Sequence, residues 1–381
     1  MSETPTCAAG LAVDAYASAF EAWLSSKPAS VAAAATALPD YGERVEVMRS
    51  LMADLYDQGW GRYGWPTELG GLGGSIHHRA VMWEALARHG VRGMALFEHL
   101  EVLAPSLVAL GPPAFVRDAL PAFLAGRELW CQGFSEPDAG SDLASLRTRA
   151  TAVDGGFTIR GRKIWTSWAR YARWCLLLAR TGSPESRHRG LTAFIVDVDD
   201  PHVDVSPIVQ ANGTDELAEV AFDDVFVPAD RVVGEVGGGW AVAMHILSSE
   251  RGTFAWFRHC FGYEQLRRAL PHATADTDAL LGDALLDLAA VTATSQAGLR
   301  RHESGTPLGP HAAFTKLLLC AAERSVNDWL LAGDDDLAIG IQDADTALDR
   351  QEYLFSRIVT IYGGSQQMQL ETIAKQILRL P

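Results

Sequence analysis

Glu250 is the single acid in an otherwise apolar helical stripe. Ala243, Leu247, Glu250, Phe254, Phe257 and Phe261 are spaced four, three, four, three and four, which is one face of a helix. A carboxylate on an apolar face is costly unless it is paired or functional. Two readings are open. Glu250 pairs with Arg251 or another cation, or it is a general base made more basic by loss of water. A second stretch with chemical potential runs from Trp130 to Trp174. Its first part, Gln132–Asp142, reads as a loop of small residues with Gly140 and Ser141 together. Such a loop offers N–H groups and hydroxyls to a polar, anionic or heteroaromatic ligand. Leu146–Val153 and Phe157–Trp165 then flank Asp154-Gly155-Gly156, which predicts a β-hairpin. The hairpin ends in Trp165-Thr166-Ser167, a flat aromatic beside two hydroxyls. That end suits a planar cofactor, and equally a Trp-rich hairpin packed on a core.

The elements that must position these residues follow from periodicity. Helical spacing covers Val13–Leu24, Val45–Leu55, His77–His89 and Val91–Leu110, with Pro105 as a kink or break and Pro112-Pro113 as a boundary. Ala32–Ala37 reads as loop or short helix. Short strands follow the hairpin at Cys175–Ala179, Leu191–Val198 and Glu219–Phe226. After Gly237-Gly238-Gly239 comes a helix near Glu250, then Ala279–His302, His311–Leu331, Thr346–Val359 and Ser365–Leu380. Asp334–Asp336 reads as a solvated loop. Strands between two helical blocks predict an α+β chain. The expected segments are a helical domain at 1–127, a central β-domain at 128–235 and a helical bundle at 236–381.

Composition narrows the function classes. Length and a 48% hydrophobic content allow a large core. Acidic residues outnumber basic ones, 47 to 32, for a net charge of −15, which argues against nucleic-acid binding. Five scattered cysteines lack metal-ligand spacing, so no metal is expected and the thiols read as reduced in a cytoplasmic protein. The N-terminus lacks the basic region of a signal peptide, and no apolar run is long enough to span a membrane.

Four ordered segments carry a family resemblance. Gln132–Leu146 with Gly161–Trp174 resembles the flavin-binding middle segment of the acyl-CoA dehydrogenases. Gly64–Gly71, Leu217–Trp240 and Ile361–Pro381 resemble the family's N-terminal turn, the exit from its β-domain and its closing helix. The resemblance implies an N-terminal helical domain, a central β-barrel and a C-terminal four-helix bundle. It also implies FAD-dependent α,β-dehydrogenation of an acyl thioester, with a proton to a Glu and hydride to flavin N5. The thioester is carried by coenzyme A or a carrier protein, and electrons leave to an electron-transfer flavoprotein.

Site residues carry over position by position. Most members place the base just after a Tyr in the C-terminal motif, where this chain has Gly363. A minority, including the isovaleryl-CoA branch, carry it on the earlier helix before an Arg, and Glu250-Arg251 resembles that arrangement. Gly363 then contributes its backbone N–H to the thioester oxygen. Gln132, Phe134, Ser135, Gly140 and Ser141 resemble flavin contacts, with Trp165 on the ring and Ser167 near N5. Ser365 and Gln367 reach the ribityl or phosphate region, and Ser365 also reads as an ordinary cap. Ser141, Arg251 and Tyr362 fall on the substrate side.

The chain departs from the family in three places, one being the double-glycine segment that usually precedes the last helices, which is absent. The Arg-x-x-Phe-Gly element that reaches a partner's FAD occurs only at Arg258–Gly262, too close to Glu250 to serve. Leu370 stands where most members have Arg. The C-terminal half is most similar to a divergent branch that includes steroid side-chain dehydrogenases, some of them heterotetramers of unlike chains. The assembly is therefore a homo-oligomer or a heterotetramer with a related chain. Other readings on the same scaffold are one subunit of a heteromer, a flavin oxidase or monooxygenase, and a non-catalytic subunit.

Overall fold

The computed structural model describes residues 7–92, 95–252, 254–306, 308–333 and 343–381; the side chains of 95–98, 251, 252, 254 and 272 lie outside the description. Asp334–Asp336 fall outside the described residues. In chain order the protein is helices, strands, then helices, an α+β architecture. It divides into two compact units, Met1–Glu98 with Glu250–Pro381, and His99–Ser249.

The first unit opens with α1 (Val13–Ser25), α2 (Ala29–Ala34), α3 (Tyr41–Asp57) and α4 (Ile76–Arg88). Side chains start two of these helices. Asp40 accepts the Glu43 N–H at 2.9 Å for α3. For α4, Ser75 Oγ accepts the His77 N–H at 3.3 Å while the Ser75 N–H donates to His78 Nδ1 at 3.1 Å. Tyr16, Phe20, Trp23, Trp60 and Tyr63 form an aromatic core between them. The turn at Gly64–Gly71 doubles back on itself. A β-carbon on Gly71 would lie 2.1 Å from the Trp65 carbonyl oxygen, so only glycine fits there.

The second unit contains most of α5 (Ala95–Leu110), then α6 (Pro113–Leu124) and eight strands. Helix α5 continues through Pro105. One lost backbone bond is tolerated where Leu103, Ala104 and Leu107 are fully buried. The strands are β1 (Leu129–Gly133), β2 (Arg149–Val153), β3 (Gly156–Ser167), β4 (Ala172–Arg180), β5 (Leu191–Asp197), β6 (Val203–Ile208), β7 (Leu217–Pro228) and β8 (Val232–Val233). They run β6-β7-β3-β2-β4-β5-β8, with β1 parallel to β4. The predicted hairpin is present, with Val153 opposite Gly156 and Gly155 at φ +75°.

Three strands differ from the sequence reading, one of them the two-residue β8, too short to leave a pattern. Gln132 and Gly133 belong to β1, not to a loop. Their strand is buried on both sides, and such strands show no alternation to read. The sheet edge β6 was not foreseen; Pro207 in it masks a strand that pairs only with β7.

Helix α7 (Gly239–Gly252) starts against the sheet. A β-carbon on Gly239 would lie 2.7 Å from the Thr192 backbone, and the Gly237 N–H donates to Thr192 Oγ1 at 2.8 Å. The first unit resumes with α8 (Phe254–Ala269), α9 (Asp278–Glu303), α10 (Ala312–Gly333), α11 (Ala344–Ser356) and α12 (Gln366–Thr372). The stripe predicted on one helix is thus divided. Ala243, Leu247 and Glu250 lie on α7, and Phe257 and Phe261 on α8. Gly252, a residue that favours helix ends, closes α7. The last predicted helix is also divided, because a π-helical turn at Ile373–Ile377 follows α12. Within this unit Arg44 of α3 donates to Gln351 of α11 at 2.7 Å, and Gln351 donates to the Pro39 carbonyl at 2.9 Å. The five cysteines are free and buried. Among the described residues no helix is long and apolar enough to cross a membrane.

Candidate functional site

In the first unit the sequence-predicted residues Glu250, Tyr362 and Gly363 come together. Gly363 has φ +65° and Gly364 φ +91°, both in the left-handed region. Ser365 caps α12 by accepting the Met368 N–H at 3.3 Å, and Gln369 Nε2 donates to the Gly364 carbonyl at 2.9 Å. These bonds pin the turn from its C-terminal side. A β-carbon built on Gly363 would lie 2.6 Å from Glu250 Oε1 and 3.6 Å from Lys316 Nζ. The carboxylate therefore occupies the space into which a side chain at 363 would grow.

Lys316, on α10, is 2% exposed. Its ammonium lies 3.9 Å from the centre of the Tyr362 ring, and the Phe355 ring is 5.8 Å from that ring. Burial pulls the Lys316 pKa down, while the neighbouring Cys320 and the carboxylates of Glu323 and Glu250 oppose that pull. The side chain of Arg251 is outside the described residues. Gln367 is exposed.

Arg258 is 9% exposed and its Nε donates to Glu323 Oε1 at 2.6 Å, with Glu352 at 3.9 Å. The Arg258 guanidinium is turned into this inward pair.

In the second unit, Gln132 is half-buried on β1, Phe134 is buried, and the Ser135 carbonyl accepts the Ile164 N–H at 3.0 Å. That bond sets Ser135 beside the end of β3. There Trp165 is 57% exposed with φ +60°, a backbone conformation rare for an aromatic residue. Thr166 is buried with its hydroxyl unpartnered, and Ser167 is half-buried. Gly140 and Ser141 are exposed in the following loop. A bare indole face beside hydroxyls fits a planar heterocycle such as the isoalloxazine of FAD. Among the described residues no group of three or more His, Cys, Asp or Glu is placed to hold a metal ion.

Sequence reasoning missed three residues. Glu136 accepts the Arg147 and Thr148 N–H groups at 2.6 and 2.8 Å, and Lys163 Nζ donates to it at 2.8 Å and to the Phe134 carbonyl at 3.1 Å. This ties both ends of the loop to β3. Lys163 follows Phe157 and Ile159 on the inward face of its strand, a signal that was readable. Lys316 lies on the buried face of α10 with Ala312, Leu319 and Glu323, the same kind of signal that exposed Glu250.

Comparison with known proteins shows which family the chain resembles along its length. The N-terminal, middle and C-terminal domain families of acyl-CoA dehydrogenases match residues 23–127, 131–225 and 237–378. The chain is 37% identical to acyl-CoA dehydrogenase IpdE1 of Mycobacterium tuberculosis, over 97% of this chain and 98% of that one. Among solved structures, the Tcur3481-Tcur3483 steroid ACAD is similar with a TM-score of 0.79 at 24% identity, covering 97% of each chain. PigA with FAD and proline gives 0.77 at 21%, covering 87% of this chain and 89% of that one.

Proposed function

The chain belongs to the acyl-CoA dehydrogenase family, and from that premise we propose that Glu250 is the base that takes the α-proton of an acyl-CoA thioester. One observation carries the assignment: the Glu250 carboxylate sits where a side chain on Gly363 would begin. A carboxylate can thus be delivered to one place from either position, and here α7 delivers it.

The α-proton of a thioester is too weakly acidic for a carboxylate unless the carbonyl oxygen is stabilised as charge develops. Gly363 would donate its N–H to that oxygen, a role that needs no side chain. Trp165, Ser167, Gln132, Phe134 and Ser135 would hold FAD, with Gly140 and Ser141 in the adjoining loop and Ser365 and Gln367 toward its ribityl or phosphate end. When bound, FAD supplies the acceptor for the hydride leaving Cβ. Tyr362, Arg251 and Ser141 would fall on the thioester side. An electron-transfer flavoprotein would take the electrons onward.

The test is anaerobic flavin reduction by a panel of acyl-CoA thioesters. Glu250→Gln should keep its flavin and slow reduction by about a hundredfold or more. Near-normal reduction in that variant sinks the assignment. A second reading, one chain of a heteromer, is supported by the likeness to a structure named for two chains. Yellow colour appearing only on co-expression with a related chain would favour it, and full flavin loading of the chain alone would exclude it.

A further inference from the structure

We propose that Lys316 is a positioning residue for this reaction, its buried ammonium holding the Glu250 carboxylate ionised and in place beside Gly363. The inference rests on Glu250 being the base. It begins from a shared point in space. The position of the absent β-carbon of residue 363 lies 2.6 Å from Glu250 Oε1 and 3.6 Å from Lys316 Nζ, so opposite charges flank it. The lysine has little freedom to leave. It is 2% exposed, and its ammonium sits on the Tyr362 ring at 3.9 Å. Tyr362 adjoins Gly363, so one turn fixes both the cation and the space the carboxylate fills.

The chemistry needs such a cation. A carboxylate among apolar groups tends to hold its proton, and a protonated acid cannot act as a base. A nearby positive charge restores the ionised form without adding water. Among the described residues, the other charged or titratable groups that act on or touch Lys316 include Cys320 and Glu323 on its own helix, Arg258 on α8 and Tyr362. Arg258 is committed to Glu323 at 2.6 Å, with Glu352 of α11 behind it. Cys320 is a buried thiol whose burial pushes its pKa up, and its Sγ donates to the Val359 carbonyl at 3.2 Å. Glu323 therefore shares its charge between Arg258 and Lys316, and Glu250 is the second carboxylate whose charge acts on Lys316.

The test compares Lys316→Met, Lys316→Gln and Lys316→Arg as FAD-loaded enzymes, using the pH dependence of anaerobic flavin reduction by saturating acyl-CoA. The acid limb should move to higher pH by about one unit or more in the Met and Gln variants, because an opposite charge within about 4–6 Å of a carboxylate shifts it by that order. The half-saturating thioester concentration should change less than about threefold, and Arg should restore the limb. An unmoved limb in a folded, flavin-loaded neutral variant overturns the proposal. Collapse of both neutral variants would overturn it too, by making Lys316 a structural residue. Glu250→Gln, measured in parallel, separates the two readings. If it reduces flavin normally, the base assignment fails. If it is slow while the Lys316 variants keep the parental limb, only the positioning role fails.

Discussion

Lys163 and Glu136 form an ion pair withdrawn from solvent, with Nζ 2.8 Å from Oε1 and the lysine side chain 0% exposed. The carboxylate is fully used. It also accepts the Arg147 and Thr148 N–H groups, so it holds the far end of the loop as well as the near one. Burial pulls Lys163 down to about 8, against the opposing attraction of Glu136. The same ion pair and hydrogen bonds outweigh burial at Glu136 and hold its carboxyl below the usual range. Breaking a buried pair from one side leaves a lone charge, which costs about 3–5 kcal/mol. Glu136→Ala should therefore lose about that much stability in urea unfolding. It should also loosen flavin retention more than Lys163→Met/Glu136→Leu, which removes both charges. Equal stability of the single and double variants would refute this account.

Gly363→Ala should combine two penalties. Its backbone is in the left-handed region, and its new methyl would meet Glu250 Oε1 at 2.6 Å. The strain alone is worth about 1 kcal/mol, and the carboxylate must move. The expected result is a fall of at least about tenfold in flavin reduction rate with FAD still bound. Unchanged reduction by stopped flow would show that Glu250 does not depend on that space.

Arg258→Met should destabilise without releasing cofactor. Removing the guanidinium leaves Glu323 buried and unpaired, for a loss of about 3–5 kcal/mol. Flavin per folded chain should stay at the parental ratio. A specific loss of FAD from well-folded protein would restore Arg258 to the cofactor site.

Trp165→Ala should do the reverse. The indole is 57% exposed, so stability should change by less than about 0.5–1 kcal/mol, while flavin dissociates faster. Flavin fluorescence released on dilution measures the second effect and thermal unfolding the first.

His259 predicts an acid-sensitive fold. Burial pulls its pKa down to about 4, against an upward pull from the hydrogen bond to the Ala255 carbonyl at 3.1 Å. Its folded value lies below that of an unfolded histidine, about 6.5, so the unfolded chain binds the proton first. The stability from neutral His259 is complete above about pH 6.5 and is lost as pH falls toward 4. The loss is of order 2–3 kcal/mol. His259→Phe should flatten the difference in urea midpoint between pH 7 and pH 5, and an unaltered difference would assign the acid sensitivity elsewhere.

Short-range features were legible in the residues themselves. The D-G turn set the hairpin, helical spacing set α1, α3, α4, α9 and α10, and an acid among apolar neighbours marked Glu250 as a candidate, although the stripe that marked it is split between α7 and α8. Each depends on neighbours within a few residues, where backbone geometry repeats with a fixed period. Other features had no local signature. Strand β1 is buried on both sides and shows no alternation, and Pro207 hides the edge strand β6. The approach of Glu250 to Gly363, the Lys316 ammonium beside them and the Glu136–Lys163 pair join residues far apart in the chain. Sequence alone could mark such groups as costly to bury. Only the packing of segments distant in the chain decided which partner offsets that cost, because charge interactions depend on distance through space and not on separation along the chain.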